Sequence, residues 1–173
     1  NELPRLPVEE TSPRLVLPGL RERRPIIARS QDDSHLRDTR LIFYKDDVEA
    51  INRVLEDFLK LSESNCNILI DKDGHPITQA GETEGIDLDT ISALVAGSFA
   101  ATREMARYIG EEEFSVLFHQ GKRDNIQLSL IMDRCILVTI FDDRTTIGMV
   151  RLYAKEATNK LSEIFREILS RKD

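Results

Sequence analysis

Residues 114–141 read Phe114-Ser-Val-Leu-Phe-His-Gln-Gly-Lys-Arg-Asp-Asn-Ile-Gln-Leu-Ser-Leu-Ile-Met-Asp-Arg-Cys-Ile-Leu-Val-Thr-Ile-Phe141. Three runs in this stretch, Phe114–Phe118, Ile126–Met132 and Cys135–Phe141, carry the branched and aromatic side chains that suit a pleated surface. The links between them, Gln120-Gly-Lys-Arg-Asp124 and Asp133-Arg134, are turn-sized, so consecutive strands should pair antiparallel. Asp142 and Asp143 close the last strand.

Downstream, from Thr145 to Arg171, the apolar positions Ile147, Val150, Ala154, Ala157, Leu161, Ile164, Phe165, Ile168 and Leu169 keep a helical period. Upstream lies a second helical stretch. Asp87 or Asp89 can cap it, its apolar residues run from Ile91 to Ile109, and Gly110 stops it. Before that, Asn67-Ile-Leu-Ile, Asp71-Lys-Asp-Gly74 and Pro76-Ile-Thr-Gln-Ala read as strand, turn and strand, a hairpin. The first helix begins near Asp46, with Val48, Ile51, Val54, Leu55, Phe58 and Leu59 on one stripe. The order α-β-β-α-β-β-β-α predicts an α/β (α+β) domain over residues 41–173. It is a five-stranded antiparallel sheet with helices on both faces.

Residues 1–40 are a different kind of chain. They hold five of the six prolines, and their eight basic residues are all arginine, so they read as an extended tail or linker. The remainder carries 16 basic against 24 acidic groups, a net charge of −8. Such a surface repels phosphate backbones, which argues against nucleic acid. No apolar run approaches the roughly 20 residues that span a bilayer, and no leader is evident at the start of the sequence. Cys66 and Cys135 read as reduced core thiols. A cytoplasmic protein without membrane insertion is expected.

Catalytic chemistry finds little support. Asp71-x-Asp-Gly with Glu82 imitates a calcium loop, but Pro76 stands where that loop turns on glycine, and the flanks read as strands. His35, His75 and His119 have no nucleophile at motif spacing, and there is no phosphate loop or metal-spaced cysteine pair. No catalytic residue, metal or cofactor is expected. Glu111, Glu112 and Glu113 read as a solvated turn. Arg103, Arg123, Arg134 and Arg144 are formal candidates for an arginine finger, with position selecting none.

The second helix is compositionally unusual. Ala93, Ala96, Gly97, Ala100 and Ala101 crowd its middle, although an interior Gly costs about 1 kcal/mol relative to Ala. Ile91, Leu94, Val95 and Met105 are expected to supply its core face. Ala93, Gly97, Ala100 and Glu104 then form a separate stripe that points outward and admits a close neighbour.

Four segments in order, Leu94-Val-Ala-Gly-Ser-Phe-Ala-Ala-Thr102, Ala106-Arg-Tyr-Ile-Gly-Glu-Glu-Glu-Phe114, Phe118-His-Gln-Gly121 and Phe141-Asp-Asp-Arg-Thr145, resemble the Roadblock/light-chain family, over roughly residues 42 to 171. The resemblance implies a homodimer that binds a small Ras-like GTPase (MglA-like) and stimulates its GTP hydrolysis, in bacterial cell polarity and motility. The GTPase supplies its own arginine, and the regulator has no catalytic site. By position it implies GTPase contacts at Ala93, Ala96, Gly97, Ala100, Ala101 and Glu104. It likewise implies a dimer interface at Ala101, Met105, Phe114, Val116 and Phe118. The fold also serves non-activating scaffolds. A small-ligand sensor is disfavoured because the chain has no Trp and no polar cluster is expected to point inward.

Overall fold

The structure, a computed structural model, describes residues 41–171. The expected tail, residues 1–40, lies outside the described residues. The elements are α1 (Lys45–Ser62), β1 (Cys66–Asp71), β2 (Pro76–Gly81), α2 (Leu88–Tyr108), β3 (Val116–Gln120), β4 (Asn125–Ile131), β5 (Cys135–Phe141) and α3 (Ile147–Ser170). They form one five-stranded sheet in the order β2-β1-β5-β4-β3, antiparallel throughout.

The helices cover the two faces unequally. On one face α1 and α3 bring Ile51, Leu55, Phe58, Leu161 and Phe165 down onto Leu69, Leu137 and Phe141. On the other, α2 alone lays Val95 and Phe99 over Ile68, Ile70, Leu128, Ile136 and Val138. Because both faces are covered, β5 is buried almost continuously instead of alternating, as a doubly covered strand must be. Among the described residues no helix is long and apolar enough to cross a membrane.

Two boundaries differ from the sequence reading. The third strand starts at Val116, not Phe114, because the chain leaving α2 is first held against that helix by an Arg103–Glu113 ion pair at 2.9 Å. The β4–β5 turn centres on Met132 and Asp133, both at positive φ (53° and 51°), with Arg134 N–H donating to the Ile131 carbonyl. Two such residues are what a tight hairpin with right-handed strand twist requires. Met132 therefore belongs to the turn, although its apolar side chain extends the strand pattern.

A third difference concerns the interior. Asn67, Thr139, Gln127 and Ser129 are all buried. Strand register sets Asn67 opposite Thr139 and Thr139 opposite Gln127. A polar row thus points inward on the face covered by α1 and α3, contrary to the expectation.

Candidate functional site

The second helix and the free edge of β3 form the surface singled out by the sequence. Asp87 caps α2, accepting from the Thr90 hydroxyl at 2.7 Å and its backbone N–H at 3.1 Å, and these bonds hold the Asp87 carboxyl below its usual range. At the other end, Ile109 N–H returns to the Ala106 carbonyl, and Gly110 takes a positive φ of 83° that ends the helix.

The buried residues of α2 are Ser92, Val95, Phe99 and Ala106. This corrects the expected core stripe. Ile91 is half-buried against the sheet and Val95 is buried, but Leu94 and Met105 are 66% and 57% exposed. The helix carries apolar residues on two faces, and hydrophobicity alone does not say which one meets the sheet. Close approach decides it in favour of the face with Ser92 and Ala106, whose small side chains let the backbone settle onto the strands.

Outward-facing residues therefore fall on two adjoining stripes. Ala93, Gly97, Ala100 and Glu104 are exposed, as expected, and Ala96 is half-buried. Beside them run Leu94, Ala101, Met105 and Tyr108, the last 90% exposed. The small residues differ in their internal reasons. A Cβ on Gly74, in the β1–β2 turn, would come within 2.9 Å of Ala93 Cα, so the turn sits tight on the helix there. A Cβ on Gly97 would meet nothing within 4 Å. Nothing within the described chain requires glycine at that position.

At the sheet edge, β3 pairs among the described residues only with β4, which leaves its outer backbone groups without a strand partner there. Val116 and Phe118 are exposed, with the Phe118 ring stacked at 6.1 Å on Phe141, and Phe114 is half-buried in the connection before the strand. An unpaired edge with apolar side chains is a template for a second chain.

Several of the remaining sequence candidates have local occupations. Arg103 bridges Glu113 and Asp133, tying α2 to the β4–β5 turn, and Arg144 is engaged by Asp142 at 3.0 Å. The Arg144 hydrogen bond holds the Asp142 carboxyl down at about 2. The Asp71 carboxylate accepts from the backbone N–H groups of Asp73 and His75, closing its own turn. His75 and His119 are exposed, and His35 lies outside the described residues. Burial pushes the Cys66 thiol up to about 11 and the Cys135 thiol to about 12, which keeps both from acting as nucleophiles.

This arrangement of three helices and an open sheet matches proteins of known structure. MglB of Myxococcus xanthus is 39% identical, covering 68% of this chain and 95% of its own, with a TM-score of 0.66. The gliding protein MglB of Thermus thermophilus is 32% identical over 73% of this chain and 96% of its own, with a TM-score of 0.69. A curated but uncharacterized protein of Methanocaldococcus jannaschii is 26% identical over 118 residues, 66% of this chain and 99% of its own length. Residues 51–141, from the first helix through the last strand, match the Roadblock/LC7 domain, and the chain belongs to that family.

Proposed function

We propose that the chain is a cytoplasmic homodimeric regulator of a small, MglA-like Ras-type GTPase, whose GTP hydrolysis it stimulates. The observation that carries this reading is the outer face of α2. It combines a bare glycine that packing among the described residues does not use with exposed Leu94, Met105 and Tyr108. Large apolar side chains clustered in water mark contact surfaces, and small ones beside them let a second backbone come near.

The likeness to two MglB proteins at 32–39% identity supports the choice of partner. In this reading the β3 edges of two protomers join and their α2 helices lie side by side. Ala101, Met105, Phe114, Val116 and Phe118 serve the dimer. Ala93, Ala96, Gly97, Ala100, Ala101 and Glu104 face the GTPase. The chain contributes no finger of its own: Arg103 and Arg144 are already ion-paired, and the GTPase brings the cation that neutralises the transferring phosphoryl group. Stimulation then comes from reshaping the GTPase's switch segments.

Single-turnover GTP hydrolysis by the cognate GTPase, with and without this protein, is the direct test. An accelerated rate is expected. Binding without acceleration would replace the reading by that of a scaffold.

A further inference from the structure

The last turn of α2 and the residues just after it carry a surface that is both apolar and acidic, beyond the small-residue stripe and the β3 edge. Tyr108 and Ile109 are 90% and 69% exposed at the helix end. Glu111 and Glu112 follow, both exposed. Their backbone is fixed. Glu111 N–H donates to the Ala106 carbonyl at 3.0 Å and Gly110 N–H to the Arg107 carbonyl at 3.3 Å, which folds the chain back over the helix end through the left-handed turn at Gly110. Beyond Glu112, the Arg103–Glu113 ion pair at 2.9 Å ties the connection to the body of the helix. The two carboxylates are therefore held next to the turn that bears Tyr108, on a short bridge anchored at both ends.

Residues 87–113 contain six acids and two arginines. Both arginines are occupied, Arg103 by Glu113 and Asp133 and Arg107 by Glu104 at 3.2 Å. Among the described residues Glu111 and Glu112 have no such partner. The carbonyl end of the helix dipole adds negative potential at the same place. Large apolar side chains in water mark a contact, and the charge around them selects what makes it. A second copy of this helix end would bring like charges together, and an acidic partner is repelled for the same reason. A lysine or arginine fits, because its cation can lie over the face of an exposed tyrosine ring and be met by a carboxylate.

We infer that the C-terminal end of α2 docks a basic segment of the GTPase, with a lysine or arginine set over the Tyr108 ring and its charge met by Glu111 and Glu112. This rests on the proposed GTPase regulation and adds to it the chemistry of the segment that the GTPase presents. Exposed carboxylates at the rim act mainly on the rate of encounter, whereas the Tyr108 ring, covered in the complex, acts on its lifetime.

Association of the full chain with the cognate GTPase, loaded with a non-hydrolysable GTP analogue, tests it. The parent should bind more slowly when the ionic strength rises from about 0.01 M to about 0.15 M, as the Debye length falls from about 30 Å to about 8 Å. Glu111→Lys combined with Glu112→Lys should weaken binding about tenfold and flatten that salt dependence, with the parent's dimer mass kept. Tyr108→Ala should quicken dissociation and leave the salt dependence as in the parent. Glu163→Lys combined with Glu167→Lys makes the same change of net charge at exposed positions of α3, and should bind like the parent. The inference is overturned if the Glu111/Glu112 variant binds like the parent or loses the dimer, if the α3 variant is weakened equally, or if the parent's association is indifferent to salt. In each of those cases the parent still binds and the GTPase reading stands. A parent that does not bind the GTPase at all overturns both.

Discussion

The two faces of the sheet are built to different ends. Beneath α1 and α3, aromatic and branched side chains from both helices interlock, and Phe165, fully buried, meets Phe43 edge-on at 6.0 Å. Beneath α2 a single helix covers the strands with Val95 and Phe99 and turns an equally apolar side to water, at Leu94, Met105 and Tyr108. One face commits its hydrophobic residues to holding the fold together. The other divides them between the fold and an exposed surface.

The largest difference between the faces should appear on truncation. Phe165→Ala empties a packed site and should cost about 3–5 kcal/mol in denaturant unfolding. Met105→Ala removes an exposed side chain and should stay within about 0.5 kcal/mol, while lowering the affinity of self-association. Equal losses of stability at the two positions would erase the distinction.

A smaller effect of opposite sign sharpens it. Gly97→Ala adds a methyl that meets nothing among the described residues, so helix propensity should raise stability by about 1 kcal/mol. The same methyl should weaken dimer or GTPase binding if a backbone packs there. A lower melting temperature would mean that the folded protomer itself needs the bare Cα.

The smallest effect concerns the loop before α3. The Asp142 carboxyl is depressed to about 2 from 3.8 by its bond to Arg144, so it stabilises the fold fully above its ordinary value and ceases to do so as the pH falls through about 2. Melts of the parent and of Arg144→Ala should therefore differ modestly at neutral pH and converge in strong acid. A constant gap across that range would contradict the assignment.

The two faces were also unequally legible in the sequence. The α3 stripe of Val150, Ala154, Ala157, Leu161, Phe165 and Ile168 shows directly in the spacing, because a long helix over a wide core has one apolar side. In α2 the apolar residues occupy two sides, and the buried one includes Ser92 and Ala106, which no hydropathy pattern would choose. Its small exposed stripe was nevertheless readable, since glycine among a run of alanines destabilises a helix interior and is out of place there unless bulk is excluded. The Asn67–Thr139–Gln127 row stayed hidden for a third reason. Polar residues in strands read as solvent-facing, and only the placement of α1 and α3 on that face shows otherwise.

A bulky charge at Ala100 tests most directly whether the outer side of α2 is a contact surface. Ala100→Glu replaces an exposed alanine, so unfolding should stay within about 0.5 kcal/mol of the parent. Sedimentation should then show the loss of the dimer, or titration the loss of GTPase binding. A variant that keeps both the parent's dimer mass and its GTPase affinity would contradict that role for the helix.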